Sequence, residues 1–114
     1  MTKSTATLLL AGALACAPAL AQQTKGAVEG NVERAENKIS MCVGCHGIPE
    51  YRTAYPYVYR VPLIAGQSPE YIASALRAYQ SGDRSHPSMV GIAKTLTDED
   101  IADLAAYYGR QQPK

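Results

Sequence analysis

An excess of charge of either sign is missing from this 114-residue sequence, in which 11 Lys and Arg stand against 10 Asp and Glu for a formal net charge of +1. Nucleic-acid binders present a basic face, so that class of partner is disfavoured. A long hydrophobic run is missing too. The apolar stretch at 4–15 is too short and too rich in alanine to span a bilayer, and no stable membrane insertion is expected. The chain carries no internal repeat, no glycine-rich phosphate loop and no nucleophilic triad. Tryptophan and phenylalanine are absent, so every aromatic residue is one of eight tyrosines. Three cysteines and two histidines leave few side chains with which to build a metal site.

What is present begins with a leader. Met1-Thr2-Lys3 is a basic start, the apolar run follows, and Ala19-Leu20-Ala21 supplies the small-residue cleavage pattern of a secretory signal peptide. Residues 1–21 are therefore expected to be removed, leaving 22–114 as one small domain. An uncleaved anchor and lipidation at Cys16 are the alternatives, but the residues before Cys16 make a poor lipobox. Removing Lys3 equalises basic and acidic residues, and removing Cys16 leaves only Cys42 and Cys45. A chain with no other thiol to protect suits an oxidising compartment, which for this kind of leader is the periplasm.

The two remaining cysteines stand in Cys42-Val43-Gly44-Cys45-His46, and C-x-x-C-H is the attachment signature of a c-type haem. On a helix, residues three and four apart share a face, so both thiols and the imidazole approach one surface. Two thioether bonds to the porphyrin edge and one ring nitrogen under the iron follow from that arrangement, giving one covalent haem c with His46 as the proximal ligand. A dithiol redox pair would expect a preceding strand, whereas residues 31–41 read as helix. Zinc would require about four ligands, and outside the motif only His86 offers one.

Periodicity gives three main helices. The first runs from about residue 29 into the motif, with Val32, Ala35, Ile39 and Met41 or Cys42 as its apolar contacts. Segment 48–61 contains prolines that exclude a continuous helix and four tyrosines, Tyr51, Tyr55, Tyr57 and Tyr59. These are expected to wall a haem edge, with a partner or homodimer surface as the second role. Ser68 and Pro69 open the second helix, Tyr71, Ile72, Ala75, Leu76 and Tyr79 form its buried stripe, and Ser81-Gly82 ends it. A loop containing His86 leads to a short helical turn at 90–94. Thr97 with Asp98, Glu99 and Asp100 starts the third helix, Ile101, Leu104, Ala105 and Tyr108 line its inner face, and Gly109 closes it.

Two residues of the loop before that turn, Met89 and His86, can reach the iron from the side opposite His46. His86 precedes Pro87, which biases it toward an extended conformation near the loop surface. Met89 can lie on the apolar face of the turn with Ile92 and Ala93, and a long thioether reaches inward without burying a polar ring.

In this order the residues resemble a small class I cytochrome c of the bacterial soluble group that includes the c4, c5 and c553 types. The resemblance covers 32–109: Cys42-x-x-Cys45-His46-Gly47, then Pro62-x-x-x-Gly66-Gln67, then Met89, then the terminal helix beginning Leu96-Thr97-Asp98. It implies an all-α fold with the first and last helices crossing, a haem in a cleft, and His46 and Met89 as axial ligands. It also implies that the Pro62 carbonyl hydrogen-bonds the proximal histidine and fixes its tautomer. The tyrosine-rich stretch before Pro62 departs from the family pattern, and a single motif in a short domain argues against the two-domain c4 type. The expected function is periplasmic electron transfer between redox partner proteins, not an enzymatic reaction. The alternative is a small haem enzyme or sensor, or a haem subunit of a larger oxidoreductase.

Overall fold

Asn31 closes an extended segment and opens the first helix, its side-chain oxygen accepting the Arg34 N–H at 2.7 Å. The computed structural model describes residues 28–113; the expected leader, its cleavage after Ala21 and Cys16 lie outside the described residues. The first helix is not continuous into the motif. It divides into α1 (Val32–Glu36) and α2 (Ser40–His46), because the N–H groups of Lys38 and Ile39 both turn back to the Ala35 carbonyl, at 2.7 and 3.1 Å. The tightened turn swings Lys38 onto the acidic face of the last helix, where it pairs with Asp100 and Asp103.

Segment 48–61 is irregular as expected, with one addition. Strands β1 (Arg52–Thr53) and β2 (Tyr59–Arg60) pair antiparallel, Thr53 opposite Tyr59, and the Val61 N–H donates to the Tyr51 carbonyl at 2.9 Å. This ribbon carries the tyrosines back toward the start of the second long helix, α3 (Pro69–Ser81). Ser68 caps α3 by accepting from the Tyr71 N–H at 3.1 Å, Pro69 occupies the first turn, and Gly82 ends it in the left-handed conformation. The turn expected at 90–94 starts earlier, as α4 (Pro87–Ala93). Pro87 at its first position needs no hydrogen-bond partner, and His86, held extended by that proline, becomes the residue before the helix.

The last helix, α5 (Asp98–Arg110), begins with a reciprocal cap: Thr97 Oγ1 accepts the Asp100 N–H at 3.1 Å and Asp100 Oδ2 accepts the Thr97 N–H at 2.8 Å. Gly109 does not close it. That glycine lies inside the helix, where an added Cβ would come within 2.6 Å of Pro69 Cγ, so its smallness admits the start of α3.

The mostly helical architecture expected from the sequence is thus present, with its core on α5. Ile101, Leu104, Ala105 and Tyr108 pack with Ile72 of α3 and Leu96, and Ile39, Cys42, Ile64 and Leu76 close around them. At the crossing of α1 and α5, a Cβ on Gly30 would overlap the Ala102 carbonyl and lie 2.8 Å from Ala106 Cβ. The crossing is clamped by the fully buried carboxylate of Asp103. It accepts from the Asn31 N–H at 2.7 Å, from Arg34 Nε and Nη2 at 2.9 and 2.7 Å, and from Lys38 Nζ at 3.2 Å. Those donors, Arg34 foremost, hold its pKa down at about 2 despite the burial.

Candidate haem site

Helix α2 presents Cys42, Cys45 and His46 at the edge of a cleft of about 330 Å³. Its walls come from α3 (Tyr71, Ile72, Ala75), from Ile64 after the ribbon, and from Leu104 and Tyr108 of α5. A smaller space of about 80 Å³ adjoins it and shares His46, Pro62 and Met89. Cys42 lines the larger part and Cys45 the smaller. The five residues singled out from the sequence, spread over three separate parts of the chain, therefore line these two adjoining spaces, Cys42 only the larger and Cys45 only the smaller.

The imidazole is oriented by backbone. His46 Nδ1 lies 2.7 Å from the Pro62 carbonyl oxygen. A carbonyl only accepts, so Nδ1 carries the proton and Nε2 keeps its lone pair free. Both cysteines are free and half-buried. Burial pushes the Cys42 thiol up, which is the reverse of the lowered pKa a nucleophilic dithiol needs. The Tyr108 hydroxyl is buried without a hydrogen-bond partner, and burial beside Cys42 and Tyr107 pushes its pKa up as well. Among the described residues no three His, Cys, Asp or Glu side chains gather to hold a metal ion.

Some side chains stand elsewhere than the sequence suggested. Tyr71, expected in the buried stripe of α3, is 51% exposed on the cleft wall. His86 was expected near the loop surface, yet both its ring nitrogens are buried, with the rings of Tyr57 and Tyr59 at 5.8 and 5.4 Å. Arg84 gave no signal in the sequence. It lines the cleft between Tyr71 and Tyr79, its guanidinium carbon 5.6 and 5.5 Å from their ring centres, and donates to the Tyr71 hydroxyl at 3.1 Å. Only the geometry of the α3–α4 connection brings it there.

Two thiols, an imidazole with its outer nitrogen free, and a thioether, set in a recess walled largely by apolar side chains, fit a haem that supplies four further nitrogens of its own. No protein-family model matches the chain. It is 41% identical over 86 residues to cytochrome c-554(548) of Halomonas halodenitrificans, an alignment covering 73% of this chain and 99% of that protein. The chain belongs to the bacterial class I c-type cytochromes. It is also 37% identical over 83 residues to cytochrome c4 of Thiocapsa roseopersicina, where the match covers 72% of this cytochrome but 41% of the relative. A third relative, the cytochrome subunit of sulfide dehydrogenase of Chlorobaculum tepidum, is 37% identical over 73 residues, covering 64% of this chain and 62% of its own. This cytochrome spans about two-fifths of the c4 proteins and nearly the whole of c-554(548). Its c-554(548) and c4 relatives are electron-carrier cytochromes rather than catalytic enzymes, and this chain is a small redox protein of the same kind.

Proposed function

We propose that this cytochrome is an exported, periplasmic one-electron carrier, made as a precursor whose residues 1–21 are removed. Its haem is tethered through Cys42 and Cys45 and held between His46 and Met89. The observation that carries this reading is the 2.7 Å contact of His46 Nδ1 with the Pro62 carbonyl, which leaves Nε2 unprotonated toward a cleft that Met89 also lines. When bound, the haem supplies a ferric/ferrous couple that passes single electrons between redox partner proteins.

The chain's own residues set the conditions for that couple. Pro62 holds the imidazole in one tautomer. Met89 would offer the iron a soft thioether, which favours the ferrous state. Ile64, Ile72, Ala75 and Leu104 line the cleft and would keep water off a ring bound there. With both His46 and Met89 engaged the iron would have no open position, which would set a carrier apart from an enzyme or sensor.

The test is to mature the protein in a host with cytochrome c assembly machinery. Intact mass should equal the chain from Gln22 plus one haem that survives denaturation, and the ferric spectrum should carry the weak far-red sulfur-to-iron band. A mass retaining the leader, a haem lost on denaturation, or high-spin iron that takes up cyanide quickly would count against the reading. The likeness to a dehydrogenase cytochrome subunit supports a second reading, a carrier docked on a larger oxidoreductase. Stoichiometric co-purification with a dehydrogenase from the native cell would favour it.

A further inference from the structure

His86 is a half-buried side chain with no assigned task. Both ring nitrogens are sealed from solvent and neither has a hydrogen-bond partner, which is costly for groups that each carry a donor or a lone pair. The ring does not cap the helix it precedes, since no side-chain bond closes the start of α4. It is not loose either, because the edges and faces of Tyr57 and Tyr59 hold it at 5.8 and 5.4 Å between centres. It lines the same small space as Cys45, His46 and Met89. Met89 is the third residue of α4 and His86 the extended residue just before that helix, so the two are three positions apart and border the same space.

A histidine buried only for packing would normally satisfy at least one nitrogen from backbone or a neighbour. Here the one partner class that the surrounding chemistry calls for is the iron that Met89 is proposed to bind. We propose that His86 is a reserve iron ligand, held beside Met89 and able to take the distal position when the thioether lets go. This rests on the haem reading above. The exchange breaks one coordinate bond, iron to Met89 sulfur, and forms another, iron to an imidazole nitrogen of His86; no electron is transferred and no co-reactant is consumed. It is favoured in the ferric state, because imidazole suits the harder ferric ion and thioether the ferrous one. The tyrosine ribbon thereby gains a role, as the bracket that keeps the second ligand ready.

The test compares matured holoprotein in four forms: wild type, His86→Ala, Met89→Ala and the double variant. Wild type and His86→Ala should both show the sulfur band. Met89→Ala should lose it yet remain low-spin, with the electron paramagnetic signature of two imidazoles and a reduction equilibrium shifted at least tenfold toward ferric. The double variant should turn high-spin and bind cyanide at least tenfold faster than Met89→Ala. A high-spin Met89→Ala indistinguishable from the double variant would overturn the reserve ligand. So would a double variant that stays low-spin. A wild type without the sulfur band would instead defeat the assignment of Met89 as resident ligand. If Met89→Ala does not mature, gentle heating of the ferric wild type releases the weaker thioether first. The band should then vanish with the iron still low-spin, whereas His86→Ala should go high-spin; identical behaviour in both overturns the proposal.

Discussion

At the scale of single residues, Cys42 and Cys45 are set apart by what surrounds them. Cys42 packs against the core beside Tyr108, whereas Cys45 borders the smaller recess next to His46. One thioether suffices to hold a ring and two make it inextricable. Cys42→Ala and Cys45→Ala are therefore each expected to lower the yield of haem-bearing protein several-fold. The double replacement should give only haem that acidified solvent extracts, as staining for covalent haem on a denaturing gel will show. His46→Ala should lose low-spin ligation altogether. These residues were legible in the sequence because their chemistry is compressed into five consecutive positions. Pro62 was legible only through the family resemblance, since nothing local says that its carbonyl meets a ring sixteen residues earlier. Arg84 and the sealed ring nitrogens of His86 were not legible at all. They depend on how the α3–α4 connection folds back on α3 and against the distant tyrosine ribbon, which local spacing does not show.

Among the elements, α3 and α5 were readable to within a residue or two because each begins with its own cap, Ser68 and Thr97. The break between α1 and α2 was not. It is stabilised from outside, by Lys38 reaching Asp100 and Asp103 on α5, so the local apolar spacing reads through it. The two-residue strands β1 and β2 are likewise too short to show alternation. The α1–α5 clamp gives a pH signature. With its pKa at about 2 in the fold against an ordinary value of 3.8, Asp103 contributes stability that is complete above pH 4 to 5 and disappears as the pH falls toward 2. The depression corresponds to about 2 kcal/mol. Asp103→Asn should therefore lower unfolding free energy by about that amount at pH 6, and the gap from the native sequence should narrow below pH 3 in urea titrations. Gly30→Ala should cost about 1–3 kcal/mol by forcing the two helices apart at Ala102 and Ala106, readable in the same titrations at neutral pH.

For the molecule as a whole, the cleft is the dominant fact. A recess of about 330 Å³ with Ile72, Leu76, Leu104 and Tyr108 on its walls borrows part of the core, so a chain of this size has little apolar packing to spare. Expressed without attachment machinery, the polypeptide is expected to lack a cooperative thermal transition and to bind hydrophobic dyes, while the matured form unfolds sharply; calorimetry of the two will decide it. Tyr55, Tyr57 and Tyr71 are exposed large side chains, each with an apolar ring and a polar tip.

The Asp103 clamp also imposes a timetable. A polypeptide appears N-terminus first, whether from a ribosome or through a membrane channel, and the Asn31 amide that Asp103 accepts lies 72 positions earlier. Tyr108, which borders the seat of Cys42, arrives later still. Until the last dozen residues emerge, nothing can shut α1 and α2 against their partner helix. The thiols of Cys42 and Cys45 thus arrive well before the residues that close over them, and stay on an open, unfinished chain until α5 follows.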